Sequence, residues 1–454
     1  MFRLKTAFAR LVRAVTRRLG KGGTTVPGRV LLKLDSGAMG RLAKRLEGGA
    51  MLISATNGKT TTASLLNGIL ERAGRPVVRN RAGSNMHWGV ATALLDAGRA
   101  PGELGLLEVD EAWLPRVSEE LQPRAFLLAN LFRDQLDRYG ELELIADRWA
   151  EVVADRAGRS AFVLNADDPL VADLGREREQ VTYFGVEDDT LALPELQHAA
   201  DSKHCRRCGH AYEYDAVYLA HMGRYRCPNC GRERPAPSVA AERVKLRGMD
   251  GTDVVLRLPD GERIELSFPL PGLYNVYNAL GAAAAAVALG VESSHIRAAL
   301  SSAAAVFGRV ERLTVAGRDV AILLVKNPAG ANEVLRTLTL EDDQVDLWLA
   351  LNDRIADGRD VSWIWDADFE LLAGRVRRAM CSGTRAEEMA LRLKYAGIDA
   401  HVVDVDRDLG ASLDAAVASS NGDGRPLYAL PTYTALLELR DLLADRGVAG
   451  RWSD

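Results

Sequence analysis

From about residue 50 the chain alternates short apolar runs with amphipathic stretches of helix length. MLIS (51–54), LGLLEV (104–109), AFLLAN (125–130), AFVLN (161–165) and VTYFG (181–185) read as buried strands. That alternation predicts an α/β fold, a parallel sheet with helices on both faces, whose ligands sit at the carboxyl ends of the strands. The regularity breaks between about residues 200 and 235, where Cys, His and Tyr cluster as if inserted. VVLRLPDGERIELSF (254–268) then alternates as a hairpin turning at Asp260-Gly261, and an alanine-rich helix follows from about 275 to 289. A second α/β series carries VAILLVKN (320–327), DLWLALND (346–353), AHVVDV (400–405) and PLYALP (426–431). The organisation expected is a basic N-terminal segment 1–48, a central domain 49–312 holding the insertion, and a Rossmann-like α/β domain 313–454.

The N-terminal segment has its own pattern. Leu4, Phe8, Leu11, Val15 and Leu19 recur at helical spacing opposite Arg10, Arg13 and Arg17, and residues 1–34 contain no acid. Two readings follow: a helix packed on the next domain with its basic face in water, which is the expected one, or a helix lying on an anionic membrane. Arginines interrupt every candidate apolar core, which argues against a signal peptide. No stretch approaches the roughly 20 apolar residues of a membrane span, so the chain reads as soluble, and its cysteine usage suits a reducing cytoplasm.

Bulk numbers narrow the classes further. A length of 454 residues suits two or three domains, and a net charge of -4 gives no global field to draw in nucleic acid. Five cysteines in so long a chain are no secreted disulfide framework. Four of them form Cys205-x-x-Cys208 and Cys227-x-x-Cys230, the spacing of a structural zinc ribbon, with Gly209 and Gly231 letting each knuckle turn back. Four thiolates close the shell, so the zinc is expected to be structural, leaving His204, His210 and His221 as surface residues. Arg206, Arg207, Arg224, Arg226 and Arg232 with Tyr212, Tyr214 and Tyr225 would also suit a nucleic-acid ribbon, although no nucleic-acid partner is expected. Cys381 reads as a small buried residue.

The sharpest signal is ISATNGKTTTASLL (53–66), between an apolar strand and a helix that reaches Gly74. Backbone N–H groups and the helix N-terminus would cradle polyphosphate. Lys59 would reach the β and γ phosphates, and Thr60 would ligate Mg²⁺. The general pattern wants a glycine where Ile53 stands. Thr-Asn-Gly-Lys-Thr-Thr nevertheless resembles the phosphate loop of the Mur ligases and folylpolyglutamate synthetases. LEVDEAWL (107–114), with Glu108 and Asp110 at a strand end, extends the likeness. So do NLFRDQLDRYGE (130–141), NADDP (165–169), GLYNVYNALGAAAA (272–285), FGRVERL (307–313) and VKNPAGANEVL (325–335).

The Mur ligase resemblance implies ATP bound by Thr56, Asn57, Gly58, Lys59, Thr60, Thr61, Arg309, Lys326 and Asn327, with Asn332 a further polar member of the last segment. Asn275 and Asn278 either bind adenine or cap their helix. Magnesium would be held by Thr60, Glu108 and Gln135, the last standing where the family has a metal-binding histidine.

Roughly 50 residues precede the loop, against a sugar-binding domain of about 100 in standard Mur ligases. That, the ribbon, LNDRIADGRDVSWIWDADFE (351–370) and SGTRAEEMALRLKYAGI (382–398) resemble the branch that forms the synthetase subunit of lipid II isoglutaminyl synthase. The branch implies amidation of the α-carboxylate of D-glutamate in lipid II, through an acyl phosphate, at the inner face of the membrane. Its ammonia would come from a GatD-like glutamine amidotransferase subunit in a heterodimer. Lys59 and Glu108 would serve the ATP step. Asp353, or else Asp357 or Asp360, would complete the partner's active site from an exposed acidic loop. The competing reading is a ligase that adds an amino acid, as folylpolyglutamate or stem-peptide ligases do.

Overall fold

The computed structural model describes residues 1–18, 23–80, 83–134, 142–303, 309–341, 344–419 and 424–450, without the side chains of 309 and 310. Strands that are apolar on both sides need cover on both faces, and the chain supplies it twice. In β1 (Ala50–Ser54) every residue is buried. Met51 and Ile53 join one core with the helix that follows them and the alanine-rich helix Leu273–Ala288. Ala50 and Leu52 join another, under the N-terminal helices and Leu142–Arg156.

The central sheet contains β1, β2 (Val77–Arg79), β3 (Leu104–Glu108), β4 (Ala125–Leu128), β5 (Ala161–Asn165) and β6 (Val181–Val186). A separate hairpin, β7 (Glu213–Leu219) and β8 (Met222–Arg226), interrupts it before β9 (Val239–Leu246), β10 (Thr252–Arg257) and β11 (Arg263–Phe268). The order across the sheet is β11-β10-β9-β6-β5-β4-β1-β3-β2. It is parallel from β9 to β2, and β10 and β11 are antiparallel, turning at Gly261 (φ +87°) as the Asp-Gly pair predicts. The short β2 and the partly polar β9 carry too few apolar residues to announce themselves in sequence.

The second sheet is β12 (Arg309–Val315), β13 (Arg318–Leu323), β14 (Val345–Ala350), β15 (Val376–Ser382), β16 (Val403–Val405) and β17 (Leu427–Pro431), in the order β12-β13-β17-β14-β15-β16. All neighbours but β12 and β13 are parallel, with cores on both faces. This is the Rossmann-like domain expected. Its first strand begins a few residues before 313, because β12 completes an edge hairpin with β13.

The N-terminal segment is part of the central domain. Helices α1 (Phe2–Arg18), α2 (Val26–Leu34) and α3 (Ala38–Ala43) bury Ala9, Leu31, Met39 and Leu42 in the core beneath β1. The expected orientation of α1 is reversed. Arg10 donates to the Leu95 carbonyl (2.6 Å) and Arg13 pairs with Asp96 (2.7 Å), so part of the basic face meets the protein while Leu4, Phe8, Leu11 and Val15 face solvent. Ala9 and Thr6 are the buried residues, since small side chains let α1 lie close to its support. Leu19 lies outside the described residues. No helix among the described residues is long and apolar enough to cross a membrane.

Candidate active site

The loop after β1 turns into helix α4 (Lys59–Arg72) at Gly58, whose φ of +86° only glycine adopts readily. A Cβ there would also collide with Asn278 Oδ1. Thr56 and Asn57 are stitched to the chain leaving β4. Asn57 N donates to Asn130 Oδ1 (2.8 Å), Asn130 Nδ2 donates to the Asn57 carbonyl (3.0 Å), and Phe132 N donates to Thr56 Oγ1 (3.0 Å). Sequence reasoning did not single out Asn130, whose role depends on strands β1 and β4 being neighbours.

Lys59 is buried, with Nζ bonded to the Ala55 carbonyl and to Glu111 Oε2 (2.8 Å). Burial would lower its pKa, but Glu111, Asp110 and Asp134 outweigh that and hold the ammonium above its ordinary value. Glu111 is thus a second residue that motif reading missed. Thr60 Oγ1 donates to Glu108 Oε2 (2.7 Å), and Asn80 fixes Glu108 by accepting from its N–H and donating to its carbonyl, each at 2.9 Å. Asp134 adds a carboxylate whose Oδ1 is buried with no hydrogen-bond partner among the described residues. Thr60 and Glu108, bonded to each other, and Asp134 are hard oxygen donors, so the chemistry of these groups suits Mg²⁺. Gln135, expected there, lies outside the described residues.

The two domains meet on this loop. Lys326 Nζ donates to the Thr56 carbonyl (3.1 Å) and pairs with Asp134, while the Asn57 and Asn327 amides bond to each other (3.0 Å). Asn327 also caps the helix Pro328–Thr339 by accepting from Gly330 N (2.9 Å). Between the domains lies a cleft with a cavity of about 100 Å³. Gly58, Thr61 and Asn278 line it near the phosphate loop, with Tyr274, Tyr277 and Leu323 providing apolar walls. Asn278 bonds to both Thr62 Oγ1 (3.2 Å) and Asn275 Oδ1 (3.0 Å). Asn275 is further in, donating to the Pro271 carbonyl (2.8 Å) in its own helix's first turn. Arg309 begins β12, but its side chain lies outside the described residues. Asn332 is turned away and exchanges hydrogen bonds with Asp368 (2.6 and 2.7 Å).

The four cysteines of the insertion converge, with every sulfur within 4.8 Å of the others, a set that can hold a metal ion. Cys205 N donates to the His210 carbonyl (2.8 Å) and Cys227 N to that of Arg232 (2.7 Å), while Gly209 and Gly231 take φ of +73° and +70°. The hairpin that follows is no remote appendage: Leu219 and Met222, flanking its tip, line the interdomain cleft. Arg336 of the C-terminal domain donates to the Tyr218 carbonyl (2.8 Å). His204 and His210 are exposed as expected. His221, expected at the surface, is fully buried, its ring 4.8 Å from Phe132 and its Nδ1 accepting from Asp201 N (3.3 Å). The hairpin tip folds back on the sheet, carrying this histidine under it. Asp167 of the NADDP segment anchors the ribbon's far end through Arg234 (2.6 Å). Asp168 accepts from Leu131 N (2.8 Å), steadying the chain that leads to Asp134.

The sequence profile of the Mur ligase middle domain matches residues 53–286, and that of the MurT ligase C-terminal region matches residues 324–436. Subunit MurT of lipid II isoglutaminyl synthase (glutamine-hydrolyzing) from Streptococcus pneumoniae is 34% identical over 438 residues, 96% of this chain and 95% of that one. The chain belongs to the MurT family of Mur ligases. The corresponding subunit from Staphylococcus aureus strain N315 is 32% identical, with 96% of each chain covered. The fold is also that of a pseudomurein peptide ligase type C from Methanothermus fervidus, with TM-score 0.68, 21% identity, and 89% of this chain and 80% of that one covered. A folylpolyglutamate synthase from Mycobacterium tuberculosis gives a TM-score of 0.60 at 16% identity, covering 89% of this chain and 93% of that one.

The MurT-type signature after β14 is exposed only in part. Asp353 stands half-exposed at the strand's carboxyl end, where Thr384 Oγ1 and Arg385 Nε, both at 2.8 Å, hold its carboxylate below the ordinary range. Asp357, expected in an exposed loop, is buried, and burial pushes its carboxyl up. It accepts from Thr434 N (2.7 Å) and caps the helix Tyr433–Asp445, a role that depends on a helix almost 80 positions away. Asp360 is exposed and lines a second cavity, about 100 Å³, with Lys326, Asp134 and Trp363. That cavity joins the signature loop to the phosphate loop's own partners.

Proposed function

We propose that this chain is the ATP-dependent synthetase that amidates the α-carboxylate of D-glutamate in the lipid II stem peptide, giving D-isoglutamine. The observation that carries the reading is similarity to MurT subunits along 96% of the chain, joined to a phosphate loop whose Lys59, Thr60 and Glu108 stand together. The family implies ATP and Mg²⁺.

A carboxylate has a poor leaving group and resists ammonia. One of its oxygens attacks the γ-phosphorus of ATP, the bond to ADP breaks, and an acyl phosphate forms. Ammonia then adds to the acyl carbon, inorganic phosphate leaves, and the surplus proton departs with the surrounding base. Lys59, kept charged by Glu111, Asp110 and Asp134, meets the negative charge of the phosphates. Bound Mg²⁺, held by Thr60, Glu108 and Asp134, would add Lewis-acid neutralisation at the same oxygens. Lys326 and Asn327 close the C-terminal domain onto the loop and exclude water from the acyl phosphate.

Among the described residues no cysteine is paired with a histidine as a glutaminase would need. The four ribbon cysteines suit zinc, and Cys381 is buried with its thiol pushed up to about 12. Ammonia therefore comes from a GatD-like amidotransferase subunit, and Asp353, with exposed Asp360 as its alternative, completes that subunit's active site, since Asp357 is committed to its helix. The reaction takes place at the cytoplasmic face of the membrane.

The test is phosphate release and product mass with lipid II, using ammonium chloride or glutamine, with and without the partner subunit. A loss of about one mass unit with ammonia, and with glutamine only when the partner is present, is the expected result. Turnover that requires an added amino acid instead would replace this reading with the peptide-adding one.

A further inference from the structure

The geometry points to α1 as a docking surface for an anionic lipid bilayer. Its outward face carries Leu4, Phe8, Leu11 and Val15, exposed by 75, 51, 59 and 48%. They stand at i, i+4, i+7 and i+11, one continuous stripe about 16 Å long, with exposed Ala7 and Ala14 beside it. Four large apolar side chains turned to water on one helix are costly unless something covers them.

The charges of the helix are sorted by face. Lys5 pairs with Asp35 (3.3 Å), Arg13 with Asp96 (2.7 Å), and Arg10 binds the Leu95 carbonyl. These contacts, with buried Thr6 and Ala9, fix the helix with its stripe outward. Arg3 and Arg18, off the protein-facing side that holds Arg10 and Arg13, are exposed and have no carboxylate partner among the described residues. An apolar stripe edged by unpaired arginines matches acyl chains below and phosphate headgroups around them.

The other occupants fit less well. A second copy of α1 laid against the first would bring arginine rims of like charge together. A protein partner would need an apolar groove with a wholly acidic rim. Lipid supplies both parts without special design, and the attraction is local, which explains how a chain of net charge -4 can use it.

The experiment is flotation of the full chain, alone and with its partner subunit, on vesicles of neutral phosphatidylcholine or of phosphatidylcholine with phosphatidylglycerol. Binding to the anionic vesicles, weakened by salt, is expected. Phe8→Glu/Leu11→Glu should reduce that binding by about tenfold or more, and Arg3→Glu/Arg18→Glu should reduce it while leaving the stripe intact. Because these side chains are already solvent-exposed, thermal unfolding and ATP turnover with a water-soluble stem-peptide substrate should not change. Vesicle binding does not depend on the reaction proposed above, so either can fail alone. Absence of vesicle binding by the natural sequence overturns the inference. Equal binding by Phe8→Glu/Leu11→Glu does so too, as does loss of the partner complex in that variant, which would make the stripe a protein interface.

Discussion

At the scale of single residues, charge is held where phosphate chemistry needs it. Lys59 has its pKa raised by Glu111, Asp110 and Asp134 against the cost of burial. A raised lysine stabilises the folded state fully below its unfolded value of 10.5, and that contribution is lost only as pH rises through the higher folded value. ATP turnover should therefore show no limb assignable to Lys59 between pH 7 and about 10, while Lys59→Ala should lower kcat by about a hundredfold. A pH–rate profile of the natural chain beside Lys59→Arg checks this. The two acids of the signature loop separate cleanly. Asp353→Asn should remove glutamine-dependent turnover and spare ammonia-dependent turnover. Asp357→Ala should cost about 1–2 kcal/mol in unfolding free energy through loss of a buried cap. A drop in melting temperature for Asp353→Asn as large as that for Asp357→Ala would undo the distinction. Sequence alone could not rank these aspartates. Three acids within eight positions look alike until Thr434 is brought beside one and Arg385 beside another.

At the scale of elements, what the sequence disclosed was what it encodes locally. The phosphate loop, the Asp-Gly turn, the cysteine knuckles and the alanine-rich helix each depend on residues close in the chain. Their positions were legible for that reason. The orientation of α1, the burial of His221 and the recruitment of Asn130 and Glu111 depend on which elements become neighbours, and periodicity carries no such information. Amphipathic spacing says that a helix has two faces and leaves open which one the protein keeps. The ribbon hairpin yields a prediction at this scale, because Leu219 and Met222 wall the interdomain cleft. Withholding zinc with a zinc-selective chelator at saturating Mg²⁺, or Cys227→Ser, should raise KM for ATP by about tenfold and change kcat less. A purely peripheral ribbon would leave both constants unchanged in a steady-state assay.

At the scale of the whole molecule, the two α/β units touch at one loop, the phosphate loop after β1. Lys326 reaches Thr56 and Asp134, and Asn327 reaches Asn57, so the C-terminal domain contributes to a site built mainly by the first. Lys326→Ala should lower kcat by about tenfold to a hundredfold while leaving the melting temperature of each domain almost unchanged. Rapid-quench measurement of phosphate release would place the loss in the chemical step, and a defect confined to KM would remove Lys326 from it.

The ribbon also has a bearing on how the chain assembles. Strands β6 and β9 are parallel neighbours, Phe184 beside Val239, yet the whole excursion 187–238 separates them. Bringing its ends together costs conformational entropy, and a metal that gathers its cysteines removes part of that cost in advance. With the four cysteines left unbound, the parallel core β1–β6 is expected to collapse while β9–β11 wait. On refolding in a chelator, amide protection should then appear in β1–β6 and lag in β9–β11, leaving an unfinished sheet with β6 as an open edge.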